Sequence, residues 1–179
     1  MGVISGVVAS VMAVLGSSWY SLVTHEWSHY VAGRLAGVPS QCIRVRMRPH
    51  PPHVALHDGQ EWLSPDHRRY VDTFCGYQPR VGWAWAYVAA GTVGGLLLVV
   101  VAAAVLVAFG LVIMALILVG TSAAITLVYV LGDVFLTRRR GAPAGDFSAM
   151  WQISKAGTAI MLIAVFSSYT LAIVIIGRF

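Results

Sequence analysis

The chain has 179 residues, 58% of them hydrophobic and 11% charged, whereas soluble domains carry about 25% charged residues. A soluble globular fold is thereby set aside, and the length leaves room for one compact helical unit, residues 1–179, without a separate recognition domain. The net charge of +5 does not call for nucleic acid, because basic residues beside apolar spans set topology and touch anionic lipid headgroups.

Apolar residues collect in three charge-free runs, at 1–24, 81–132 and 156–177. A bilayer crossing needs about 20 residues at a rise of about 1.5 Å. The first run supplies one span over about 3–24; it lacks a basic leading segment and a small-residue cleavage site, so it is expected to stay on the protein. Directly after it comes His25-Glu26-Trp27-Ser28-His29, where the helix should still be running. Residues four apart on a helix share a face, so His25 and His29 offer two imidazoles to one metal. Glu26, about 100° round, is placed to take a proton from water at that metal. The chain has six histidines, and its composition produces this motif by chance about once in five hundred such sequences. Ionisable residues at the end of a membrane helix are expensive and by default functional. The plain alternative is a polar helix end with a satisfied histidine pair.

The loop at 37–80 follows, cytoplasmic by the arginines around it, and it holds six of the seven prolines. Arg48-Pro49-His50-Pro51-Pro52-His53 forbids a regular helix there. Residues 61–77 mix Trp62, Tyr70, Val71 and Phe74 with charges, the pattern of an amphipathic segment lying on the membrane surface. Cys42 and Cys75 both fall in this loop, where thiols stay reduced, and no disulfide is expected. Trp83, Trp85 and Tyr87 after Arg80 have the composition of an interfacial aromatic belt. The long run divides into spans at about 84–108 and 111–135, with the bend near Phe109 and Gly110. Gly91 and Gly95 give a G-x-x-x-G, a spacing for close helix approach that carries no chemistry of its own. A second cytoplasmic loop at 136–155 is basic, then turn-forming through Gly141, Pro143 and Gly145, before the last span at 156–177. The predicted fold is all-α with about four transmembrane helices. Eleven of the twelve Lys and Arg residues lie between spans one and two or between spans three and four. That makes this side the cytoplasm and puts both termini outside.

A catalytic zinc takes three protein ligands and water. His50, His53, His57 and His67 sit in the proline-rich loop, Asp133 ends the third span, and Asp146 opens the helix leading to the fourth. Here the sequence resembles the site-2 protease family of intramembrane zinc proteases, which carries H-E-x-x-H on one transmembrane helix and an aspartate ligand after a later span. Ala142-Pro143-Ala144-Gly145-Asp146-Phe147 looks like that second segment. The resemblance implies a zinc (Zn2+) endopeptidase acting on membrane-anchored protein substrates, with His25, His29 and Asp146 as ligands and Glu26 as catalytic base. Two positions depart from the family: Phe147 follows the aspartate where the family has glycine, and the chain contains no asparagine. Asp133 therefore stands as the alternative third ligand, and Asp146 has a helix cap as its other role. Two rival functions remain at this point. One is a membrane di-iron hydroxylase or desaturase, because His53 and His57 repeat the H-x-x-x-H spacing. The other is a non-catalytic membrane protein with a relic motif.

Overall fold

The structure is a computed structural model that describes residues 2–48, 52–65, 67 and 69–179. Residues 49–51, including His50, and Arg68 lie outside the described residues. Among those described, the order is α1 (Gly2–Leu35), β1 (Ile43–Arg46), β2 (His53–His57), β3 (Trp62–Leu63), α2 (Tyr70–Tyr77), α3 (Val81–Ala108), α4 (Val112–Arg140), α5 (Asp146–Ile153) and α6 (Lys155–Ile176). α1, α3, α4 and α6 are long and apolar enough to cross a membrane. The chain is thus all-α with four transmembrane helices and one small sheet.

α1 continues through the histidine motif because no proline interrupts it. It stops in a glycine turn. Gly37 has φ 99°, its N–H bonds the Arg34 carbonyl at 3.1 Å and the Val38 N–H reaches back to Gly33 at 3.0 Å, which occupies carbonyls the helix end would leave open. α3 and α4 form the expected hairpin, and Gly110 at φ 74° makes the bend where a side chain would be strained. α4 runs on to Arg140 and closes on Gly141, φ 69°, so the second interhelical connection is shorter than 136–155 and is followed by a helix of its own, α5.

The apolar core between the spans is built from Leu96, Val99, Leu118, Val119, Phe147, Met150, Met161 and Val165. A second core lies at the end of α1, under the sheet. β1 pairs antiparallel with β2, Ile43 opposite Leu56, and β2 with β3, Leu56 opposite Leu63. This sheet was not anticipated. The amphipathic stretch does form a helix, α2, but its apolar face is covered by protein: Phe74 is buried and stacks on Tyr87 with ring centroids 4.3 Å apart. The Tyr70 hydroxyl donates to the Val54 carbonyl at 2.8 Å and meets the Tyr87 hydroxyl at 2.6 Å. Tyr87 is therefore not part of an aromatic belt; it is the buried post on which the sheet and α2 are mounted.

Candidate metal centre

Three elements bring the site together. α1 supplies His25, Glu26 and His29. α3 packs against α1 at unusually short range, because Gly91, Gly94 and Gly95 put bare backbone against it. A Cβ on Gly91 would fall 2.6 Å from the His25 Nε2 and closer still to the His29 Nε2, and one on Gly94 would fall 2.6 Å from the Ser28 Cβ. Gly91 is thus a wall of the site, a role that the G-x-x-x-G spacing alone does not convey. α5 supplies Asp146 as its first residue.

The His25 Nε2 lies 3.0 Å from the Asp146 Oδ2, the His29 Nε2 lies 3.1 Å from the same oxygen, and the two nitrogens are 3.2 Å apart. A tetrahedral zinc with bonds of about 2.0–2.1 Å sets its ligand atoms about 3.3 Å from one another. The triangle has nearly those dimensions. The tautomer points the same way. The His29 Nδ1 is 2.8 Å from the Tyr87 carbonyl oxygen, which can only accept, so Nδ1 carries the hydrogen and a neutral His29 turns a bare Nε2 toward a carboxylate. Two acceptors at that range repel unless a cation, either a proton or a metal ion, lies between them. Such an outer hydrogen bond is the usual device that orients a histidine ligand. Among the described residues, His25, His29 and Asp146 are the group of His, Cys, Asp and Glu whose ligand atoms converge this way.

Burial by itself would raise the Asp146 carboxyl, but the charges and hydrogen bonds of His29 and His25 outweigh it and hold the group below the usual carboxylate range. The Glu26 carboxylate is half-buried beside the triangle, within electrostatic reach of His25, His29 and Asp146, and also of His53 at the start of β2.

Asp133 is close by but committed elsewhere. It is 3% exposed. Its Oδ2 accepts the Ser148 N–H at 2.8 Å, and its Oδ1 accepts the Ser148 hydroxyl at 2.6 Å and the Thr137 hydroxyl at 3.0 Å. The Ser148 hydroxyl in turn accepts from Ala144 N–H at 3.0 Å and Gly145 N–H at 3.2 Å. Asp133 thus fastens the first turn of α5 to α4 and so sets where Asp146 points. Of the two aspartates considered for the third position, the structure brings Asp146 to the histidines and Asp133 to the support behind it. The turn of α5 is held by Ser148 and Asp133, so the Asp146 side chain is left for the histidines rather than for capping.

Against protein families, curated proteins and solved structures, the chain finds no match.

Among the described residues, no other histidine joins the triangle. His53 and His57 stand at the two ends of β2, and four residues of strand at about 3.3 Å each separate them by about 13 Å, too far for one ion. In a helix the same spacing would have joined them. The His67 Nδ1 accepts the Arg69 N–H at 3.2 Å within its own turn. Sequence reasoning missed the Tyr87 carbonyl, Gly91, Ser148 and Tyr129, whose ring stands edge-on to His25 with centroids 5.9 Å apart.

Proposed function

We propose that this chain is a zinc-dependent endopeptidase that cuts membrane-anchored proteins at the cytoplasmic boundary of the bilayer. The observation that carries the reading is the convergence of His25, His29 and Asp146 on a triangle of zinc dimensions, with the Glu26 carboxylate alongside. The resemblance of the His25–His29 motif and of residues 142–147 to the site-2 protease family supports the same function. The distribution of basic residues supports the orientation, with both termini outside.

Zinc bound by these residues supplies a Lewis acid that acidifies water and polarises a carbonyl. Glu26 takes a proton from the attacking water and later delivers it to the leaving amine, one carboxylate serving first as base and then as acid. His29 is kept in the required tautomer by the Tyr87 carbonyl. The peptide group to be cut must present an open carbonyl, so a substrate helix has to unwind locally, and segments of low helix propensity are the preferred cleavage points.

The test uses the purified full chain and a membrane-anchored reporter. The wild type should hold about one zinc, His25→Ala and His29→Ala should lose it, and Glu26→Gln should keep it while cleavage falls by about 10²- to 10⁴-fold. Cleavage that persists undiminished in Glu26→Gln, or a wild type that carries iron or no metal, overturns the reading.

A further inference from the structure

The site includes a phenol that the proposed chemistry has so far left without work. Tyr129 lies on α4 one turn before Asp133, its ring edge-on to His25 at 5.9 Å between centroids and edge-on to Phe147 at 5.6 Å. Its hydroxyl oxygen accepts the Asp146 N–H at 3.3 Å. An oxygen used as an acceptor still has its own proton to give, and among the described residues that proton makes no hydrogen bond. The hydroxyl is therefore a donor with an unused bond, one residue's breadth from the carboxylate of the metal triangle.

Two further observations fix its surroundings. A Cβ on Gly145 would sit 3.0 Å from the Tyr129 hydroxyl and 3.0 Å from the Asp133 carboxylate, so the bare backbone of Gly145 is what lets the phenol tip enter this corner. The side chain as a whole is 39% exposed, whereas Tyr87 is 3% exposed. Tyr129 thus reaches from the metal triangle to the outer surface of α4.

We propose that Tyr129 is a catalytic residue, its hydroxyl donating a hydrogen bond to the carbonyl oxygen of the scissile peptide as negative charge gathers there. This rests on the endopeptidase reading above. In the step concerned the water oxygen bonds to the carbonyl carbon, its proton passes to Glu26, and the carbonyl π pair moves onto oxygen. When the C–N bond breaks, that pair returns to re-form the carbonyl and the amine leaves with the proton from Glu26. Tyr129 keeps its proton throughout and contributes only the hydrogen bond. A preorganised donor aimed at such an oxygen is a large source of rate, about 10²- to 10³-fold in kcat per donor removed. No asparagine is present in the chain to supply it.

The experiment is Tyr129→Phe in the full-length protein, which keeps the ring against His25 and Phe147 and removes the donor alone. Zinc affinity, measured by competition with a chelator, and thermal unfolding should match the wild type. kcat on the membrane-anchored reporter should fall at least tenfold with KM changed less than threefold. A peptide phosphinate, tetrahedral like the developing oxyanion, should bind more weakly by the factor lost in kcat/KM. Unchanged kcat overturns the assignment, and so does a loss of zinc affinity or of folding that accounts for the fall, since Tyr129 would then only prop Asp146. Wild-type cleavage that does not depend on Glu26 sinks the endopeptidase reading itself, a result told apart from the first because it appears without touching Tyr129.

Discussion

A bare imidazole nitrogen facing a carboxylate is the residue-scale fact on which the site turns, and Gly91 is the residue that permits it. With a methyl group at position 91, His25 and His29 would both have to move. Gly91→Ala should therefore lower zinc affinity at least tenfold in a chelator competition, because ligands displaced by even a few tenths of an ångström no longer share one ion. Gly82→Ala, on the same helix with nothing within 4 Å of the added Cβ, should leave zinc affinity unchanged and slightly favour the helix. The His25–Glu26–His29 relation was legible in the sequence because it is a local, 3.6-residue periodicity. The contact of Gly91 with the same rings was not, since spacing on one helix says nothing about which neighbour it meets. Nor could any pattern announce that the Tyr87 backbone carbonyl would orient His29.

Elements decide how the proposed third ligand arrives. α5 is only eight residues long, too short to stand by itself, and it depends on Asp133 gripping Ser148 by backbone and hydroxyl. Asp133→Ala removes the acceptor for the Ser148 N–H and hydroxyl. A buried donor left alone costs about 1–3 kcal/mol, so zinc affinity should fall by about tenfold or more, while His25 and His29 stay in place on α1. Asp146 was legible through its likeness to a known motif, whereas the division of labour between the two aspartates depended on contacts across 15 residues of sequence.

The small sheet was hidden for a different reason: β1 and β2 have only 4 and 5 residues, and the prolines between them read as an irregular loop. The alternation Ile43-Arg44-Val45-Arg46 was the available signal. In its β2–β3 turn, backbone N–H groups of Glu61 and Gln60 hold the Asp58 carboxyl below its ordinary range, both at 2.9 Å. Because its folded value is depressed, Asp58 contributes stability that is complete above about pH 4 and is lost as pH falls through the lowered value. Amide exchange at Gln60 and Glu61 should keep its protection at pH 5 and lose it as pH falls through the lowered Asp58 value; Asp58→Ala should lose it throughout.

At the scale of the whole molecule, the four spans and the hairpin bend were legible because hydrophobic run length and a mid-run glycine are local properties. The first helix continues beyond its apolar run, through the histidine motif as expected and on to Leu35, since the histidines and arginine that end the apolar run do not end the helix. With the two interhelical connections on the basic side, a reporter fused after Phe179 should behave as extracytoplasmic. Replacing Arg138, Arg139 and Arg140 by glutamate should weaken that preference in a fusion assay.

The two kinds of support beneath the ligands have unequal strength. Both imidazoles ride on a continuous helix wedged against glycine backbone, while the carboxylate hangs from a short helix tied by hydroxyls and one aspartate. Mechanical stress on the bundle would therefore part the carboxylate from the imidazoles before it parted α1 from α3. Under the endopeptidase proposal, a substrate chain drawn in beside α4 would exert that stress and would make the grip of the proposed site on its ion sensitive to pressure from that side.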